Sequence, residues 1–339
     1  MALPVSRDQA APTVGRPLLV VESLSRHFRM GRSGLFGQRL TVKAVDDVSF
    51  SINKGEVLGI VGESGCGKSS VAKAILNIHP PQAGSVRLNN TELTKLTSAA
   101  WRLERRKIQY VFQDPLSALD PRMKVLDQVT EPLIIHGLGT GQERSDTARR
   151  ILDAVGLGPT HFGKFPHELS GGQQQRVVLA RALVLEPDII LCDEPISALD
   201  VSIQAQVVKL LQKLRVEMGL TILFISHDLS IVRFLCDRVA VMYLGKIVEL
   251  ADTKTLFDDP QHPYTKALIS AIPIPSPGTR RDRILLEGEP PSPVNLPPGC
   301  RFNPRCQFCA PLCREREPVL RAAKHDHDVA CHLAHGEIV

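Results

Sequence analysis

The sequence predicts an α/β protein: a mainly parallel β-sheet, an inserted helical subdomain, and a small cysteine-rich C-terminal extension. Three observations predict it. A strand-like run, GEVLGIVG, passes through a glycine-rich turn into the helical stretch KSSVAKAILNI, the opening of an α/β unit. Two further apolar runs, DIILCDE and TILFIS, are short and β-branched, as strands buried on both faces are. Beyond residue 260 prolines crowd AIPIPSPG and EGEPPSPVNLPPG, ahead of GCRFNPRCQFCAPLC. That composition reads as an extended linker leading to a thiol-rich module.

In chain order, residues 1–16 lack the apolar core of a signal peptide and read as a disordered lead-in. LLVVESLSRHF and VKAVDDVSFSI read as strands, followed by the strand–glycine loop–helix unit. From about 114 to 185 the longer helical patterns TARRILDAVGL and QQQRVVLARALVL form the insertion. Strands return at DIILCDE, TILFIS and VAVMYLGKIVEL, and the helical run SIQAQVVKLLQKLRVEM lies between the first two. The expected division is 17–260 for the sheet-bearing body and 261–339 for linker and module.

With 339 residues, 43% of them hydrophobic, the chain can build one large core and a smaller one. Aromatic residues make up only 4%, so that core rests on Val, Leu, Ile and Ala. A net charge of +5 is explained by a solvated surface, and the one dense basic run, Arg105-Arg106-Lys107, is too short for a nucleic-acid stripe. No nucleic-acid partner is expected. No window of roughly eighteen residues is apolar and uncharged, so no transmembrane helix is expected and any membrane role comes through a partner.

GESGCGKS, from Gly62 to Ser69, fits the phosphate-loop pattern G-x-x-x-x-G-K-[ST] in full. Its glycines let the backbone bend around a phosphate chain, so that the N–H groups of Gly62, Ser64, Gly65, Cys66 and Gly67 face inward. The following helix, with Ser70 in its first turn, adds the positive end of its dipole. Lys68 supplies a charge to the β- and γ-phosphates, and the Ser69 hydroxyl is a ligand for Mg²⁺.

Asp193 and Glu194 end the buried run IILCDE, at the sheet edge where open α/β sheets place ligands. Asp193 suits the surroundings of Mg²⁺, and Glu194 suits a general base polarising an attacking water. One strand later His227 follows TILFIS, placed for the γ-phosphate or that water. Gln113, after the strand ending in YVF, is placed to orient water or Mg²⁺, or to relay nucleotide state to a neighbour. A second glycine turn, ELSGGQQQR, opens a helix with Ser170, Gly171, Gly172 and Gln173 at its N-terminus, again an anion-binding arrangement. One phosphate loop already surrounds the nucleotide, so this element is expected to face a nucleotide held by a second copy.

GESGCGKS, FQDP, LSGGQ, IILCDEP, SALD and ISHD occur in the order and approximate spacing of an ABC-type ATP-binding cassette, which residues 17–260 resemble. The resemblance implies a head-to-tail dimer with two ATP molecules at its interface. Ser170, Gly171 and Gly172 then contact the γ-phosphate held by the partner copy's phosphate loop, and Ser197 to Asp200 communicate across the interface. It also implies an adenine-stacking aromatic near the first strand, for which Phe28 is the candidate, with His27 beside it.

FQDPLSALDPRMKV, HPYTKAL and GEPPSPVNLPPGCRFNPRC…ACH resemble, more narrowly, the ATPase subunits of bacterial oligopeptide and dipeptide importers. The segment HFRMGRSGLFGQRLTVKAVDDVSF is similar to the second of the two ATPases such systems carry. The implied role is ATP hydrolysis on the cytoplasmic face of the inner membrane, peripheral to it. The implied partners are a sister ATPase or second copy, two membrane-spanning permease subunits and, indirectly, an extracytoplasmic solute-binding protein. Import of a metal chelate or glycoside is the alternative, and a soluble ATPase of translation or DNA repair a more distant one.

The thiol spacing C-x5-C-x2-C-x3-C-x17-C covers Cys300, Cys306, Cys309, Cys313 and Cys331. Without a secretion signal, clustered thiols point to a metal centre rather than disulfides, and spacing leaves zinc and an iron–sulfur cluster both open. His332 is a possible substitute ligand. The importer resemblance implies a [4Fe–4S] cluster on Cys300, Cys306, Cys313 and Cys331, with Cys309 spare. The module follows a linker, so no part in hydrolysis is expected of it.

Overall fold

The computed structural model describes residues 17–32, 39–197, 199–272 and 283–338. The lead-in expected over residues 1–16, most of the first proline-rich stretch, and Ala198 of the SALD segment lie outside the described residues. The elements run β1 (Leu19–Arg32), β2 (Arg39–Ile52), β3 (Val57–Val61), α1 (Lys68–Ile75), β4 (Ala83–Leu88), β5 (Thr91–Glu92), α2 (Ser98–Glu104) and β6 (Ile108–Val111). Four helices follow, α3 (Pro115–Ala118), α4 (Val125–Ile135), α5 (Gly141–Ala154) and α6 (Gly171–Leu183). The chain then returns through β7 (Ile189–Asp193), α7 (Val201–Met218), β8 (Thr221–Ile225), α8 (Leu229–Leu235), β9 (Arg238–Tyr243) and β10 (Lys246–Asp252). It ends in α9 (Thr253–Asp258), α10 (Pro263–Ser270), α11 (Pro311–Glu315), β11 (Arg321–Lys324) and β12 (His327–Val329).

The main sheet has the order β11-β12-β10-β9-β3-β8-β7-β6, and β9, β3, β8, β7 and β6 are parallel. Alternate residues of its central strands enter different cores. Val57, Ile190, Cys192, Ile222 and Phe224 face α6, α7 and α8, while Leu58, Ile189, Leu191, Leu223 and Ile225 face α1 and the second sheet. Both faces are covered, which is why these strands read as unbroken apolar runs. The second sheet, β2-β1-β4-β5, is antiparallel.

The run VAVMYLGKIVEL is two strands rather than one. Leu244 and Gly245 both take positive φ, 42° and 86°, forming the tight turn that joins β9 to β10. A Cβ on Gly245 would lie 2.4 Å from the Lys43 carbonyl oxygen, so only glycine fits there.

Residues beyond 260 are not set apart from this core. β12 pairs antiparallel with β10, Glu249 opposite Val329, and Tyr264 and Phe302 belong to the larger apolar core. The joint is polar at its centre. Glu249, wholly buried, accepts from the Gln261 N–H (2.7 Å) and the His262 N–H (2.9 Å) and pairs with His327 Nε2 at 2.7 Å. Burial alone would raise the Glu249 carboxyl, but the His327 side chain and these N–H groups outweigh it and hold the carboxyl below its ordinary value. One carboxylate thus joins a core strand, the start of α10 and the last strand.

His262 beside it is held down to about 4, first by burial, with Glu249 opposing and Lys266 adding. The unfolded chain protonates this imidazole at about 6.5, so between those values the unfolded state binds more protons. His262 then contributes its full stability above about pH 6.5 and loses it as the pH falls towards 4. Calorimetry across that range should show the melting temperature falling. His262→Gln should flatten the fall, and an equal slope in both chains would exclude His262 as its source.

Candidate nucleotide site

The phosphate loop bridges β3 and α1 under steric pressure from two sides. Gly67 has φ +110°, and a Cβ there would lie 1.9 Å from the Ala44 carbonyl oxygen; at Gly62 it would lie 2.2 Å from that of Met242. Only glycine allows β2 and the β9–β10 hairpin to press so close. Gly67 caps α1 without a side-chain bond to its first-turn N–H groups, which leaves them available to an anion. Lys68 is 4% exposed, and its Nζ donates to the carbonyls of Gly62 (2.9 Å) and Glu63 (3.0 Å).

The parallel strands bring the remaining polar residues to the same sheet edge. Ser69 Oγ donates to Asp193 Oδ1 at 2.8 Å, and the Tyr110 hydroxyl donates to Asp193 Oδ2 at 2.5 Å. Asp193 is nearly buried, and both of its oxygens are engaged. Burial first, and then the Asp193 carboxylate, push the Tyr110 phenol far above its usual value, so it remains a donor. A hydroxyl and a carboxylate held together are hard oxygen donors, the set that suits Mg²⁺. Next to them Glu194 takes φ 46°, with its N–H bonded to the Ile225 carbonyl at 3.0 Å. Its Oε2 accepts from Gln113 Nε2 at 3.1 Å and lies 3.2 Å from His227 Nδ1. Residues following β6, β7 and β8 therefore meet at one carboxylate.

Ser170 caps α6 by a reciprocal pair with Gln173, whose Nε2 also lies 3.2 Å from His161 Nε2. Gly172 is required by packing, since a Cβ would meet Ile203 Cγ2 of α7 at 2.5 Å. Ser170 and Gly171 are exposed. Among the described residues no hydrogen bond joins this turn to Lys68 or Ser69.

The ABC transporter model matches residues 45–197, and the model for the C-terminal region of oligopeptide/dipeptide transporters matches residues 248–313. The chain belongs to the ABC transporter family, among the ATP-binding subunits of its oligopeptide/dipeptide importers. It is 48% identical to the oligopeptide transport ATP-binding protein AppF of Bacillus subtilis, over 93% of this chain and 97% of that protein. It is 47% identical to the oligopeptide transport ATP-binding protein OppF of Escherichia coli, over 95% of this chain and 98% of that protein. A solved ATP-binding cassette, dimeric and bound to ADP and Pi after hydrolysis, matches with TM-score 0.61 and 32% identity over 69% of this chain and 98% of its own. The protein is an ATPase of the ABC cassette fold.

Other residues of the cassette lie less simply than the sequence suggests. Phe28 has the Arg26 guanidinium 4.8 Å above its ring and His79 edge-on at 5.4 Å, so an adenine would share that ring with Arg26. His27 Nε2 lies 3.0 Å from Asp46 Oδ1. Tyr110 escaped sequence reading because an aromatic inside an apolar strand looks like core; nothing in IQYV marks its hydroxyl.

Cys300, Cys306, Cys313 and Cys331 line one small cavity that Cys309 does not reach. Burial raises the thiols of Cys300, to about 12, Cys306, to about 11, and Cys331. The donor type suits zinc or iron. As the side chains stand, however, no group of three or more His, Cys, Asp or Glu among the described residues is placed to hold a metal ion. His332 is not a free substitute ligand: its Nδ1 lies 2.7 Å from Glu337 Oε2 and its Nε2 2.9 Å from the Arg316 carbonyl. Nor is the module remote from the phosphate loop, because Arg305 pairs with Glu63 inside that loop.

Removing the Tyr110 hydroxyl should show in the use of Mg²⁺ as well as in folding. Tyr110→Phe leaves Asp193 Oδ2 without its donor, a loss of about 1.5–3 kcal/mol for a bond to a charged group. The Mg²⁺ concentration for half-maximal ATPase activity should rise severalfold; an unchanged Mg²⁺ titration would show that this bond does not organise the site.

Proposed function

We propose that this chain is the ATP-hydrolysing, energy-coupling subunit of a bacterial peptide importer, peripheral to the cytoplasmic face of the inner membrane. One observation carries the mechanism. Lys68, Ser69, Asp193, Glu194, Gln113 and His227 gather at one sheet edge, while Ser170 to Gln173 form a second anion-type turn that is exposed at Ser170 and Gly171 and, among the described residues, bonded to none of them. Half of each site therefore comes from another chain, a second copy or a sister ATPase in head-to-tail array.

In this reading Lys68 and the loop N–H groups hold the phosphates, and Ser70 stands in the helix turn behind them. Glu194 polarises the attacking water, and Gln113 and His227 orient that carboxylate. Ser69, with Asp193 and Gln113 in support, would hold Mg²⁺, which would neutralise phosphate charge when bound. Phe28 bears on adenine, and Ser197 and Asp200 communicate across the interface. Helices α3 to α6 make up the inserted subdomain, within the division at residue 260. The oligopeptide transport relatives support the peptide class of solute.

Among the described residues no helix is long and apolar enough to cross a membrane, so permease subunits carry the solute. Their docking surface, in this reading, is a groove of about 390 Å³ whose apolar side is Ile78, Phe112 and Ile135 and whose polar side is Arg105, His136 and Arg181. Phe112 and Ile135, both about half exposed, offer the apolar contact. Gln113, next to Phe112, reports the docked state to Glu194.

The composite site is tested by mixing two dead chains, Lys68→Ala and Gly171→Asp, with ATP. Each mixed pair holds one intact site, so part of the activity should return. If none returns with copies of this chain but some does with a sister ATPase, the natural pair is mixed. No recovery with either would reject the sandwich.

The four thiols around one cavity support a [4Fe–4S] cluster, or Zn²⁺, on Cys300, Cys306, Cys313 and Cys331. Binding must strip protons from the thiols, so it should weaken as pH falls. Anaerobic purification with iron, sulfide and zinc analysis should find one such centre per chain. Zinc without sulfide would replace the cluster but keep the site, and metal-free protein would remove both.

A further inference from the structure

The motif glutamate Glu63 introduces a negative charge into a loop built to hold anions, and the C-terminal module answers it. Arg305 Nη1 donates to Glu63 Oε2 at 2.8 Å and Nη2 to Oε1 at 3.0 Å, a two-pronged pair across 242 positions of sequence. The Arg305 side chain is only 7% exposed and that of Glu63 28%, so water screens the pair only in part. The backbone of Glu63 is held as well. Its N–H donates to the buried Tyr264 hydroxyl at 2.9 Å, and its carbonyl accepts from Lys68 Nζ at 3.0 Å.

The carrier of Arg305 is firmly seated. It lies on the short turn Asn303–Arg305, directly before Cys306. Phe302 packs against Tyr243 and Tyr264 with ring centres 5.3 and 5.5 Å apart. Arg301 donates to the Leu244 carbonyl and pairs with Asp46. Leu244 opens the hairpin turn whose next residue, Gly245, donates its N–H to the Cys66 carbonyl at 2.8 Å. The module thus grips the loop directly at Glu63 and again through the hairpin behind it.

We propose that Arg305 is a positioning residue for ATP. It cancels the Glu63 charge inside the phosphate loop, and it fixes the Glu63 carbonyl on which Lys68 rests before nucleotide arrives. Binding ATP requires Lys68 to leave that carbonyl for the phosphates. An unpaired Glu63 carboxylate would hold the ammonium back and repel the triphosphate at once. Nucleotide affinity in this ATPase therefore depends on the seating of the cysteine module. This deepens the nucleotide-site assignment and rests on it.

The test uses the full chain and reads equilibrium ATP affinity, KM and kcat separately. Arg305→Gln should raise both Kd and KM for ATP by roughly tenfold, the low end of the scale for leaving one partner of a charge pair unpaired, since Glu63 is partly exposed, with a much smaller change in kcat. Adding Glu63→Gln to that variant should return most of the affinity, because the offending charge is then gone. Arg305→Lys, which keeps the charge but loses the fork, should fall between; it also serves if Arg305→Gln does not fold. Unchanged affinity in Arg305→Gln would overturn the proposal. So would a double variant no better than the single one, since that result describes a brace and not charge cancellation. A parent chain that bound no ATP would instead overturn the nucleotide site and take this proposal with it.

Discussion

Gly67 stands so near the Ala44 carbonyl, and Gly62 so near that of Met242, that neither position has room for one more carbon. That close approach presses the phosphate loop between the antiparallel sheet on one side and the β9–β10 hairpin on the other. The rest of the site takes its bearings from it. Lys68 and Ser69 can point towards the sheet edge only because the loop turns α1 there, and Ser69 then meets Asp193 from β7. The loop is held by these contacts together with the bonds from Lys68 Nζ to its own carbonyls, which is what a preorganised anion site needs.

The same geometry explains why residues far apart in sequence share one task. Parallel strands end on one edge, so whatever follows β6, β7 and β8 falls together. Gln113, Glu194 and His227 are neighbours for that reason alone. The positive φ of Glu194 turns its carboxylate back towards the residues following the two flanking strands, at a backbone cost accepted at functional sites. Tyr110 stiffens the neighbouring Asp193 from within β6.

The C-terminal region joins the main sheet through a buried polar knot. Glu249 in β10 would be costly to bury unpaired, and it is satisfied only when the His262 segment and β12 are both in place. That all-or-none satisfaction makes docking specific. It also brings Arg305 to the loop, so a thiol-rich module beyond a proline-rich stretch contacts the nucleotide machinery directly.

What the sequence determined by itself is everything carried by local pattern: the glycine loop between strand and helix, the buried strands, the helices between β6 and β7, and the carboxylates at a strand end. Those signals are legible because steric demands on glycine, apolar periodicity and strand-end placement act within a few residues of chain. Only the tertiary structure decided what depends on long closure. It turned VAVMYLGKIVEL into a hairpin, gave Tyr110 a polar duty inside an apolar strand, and set Arg26 over Phe28. It also carried Arg305 back across 242 positions to Glu63. No periodicity encodes such a contact, because its partners meet only after the β10–β12 pairing and the Glu249 knot have seated the module.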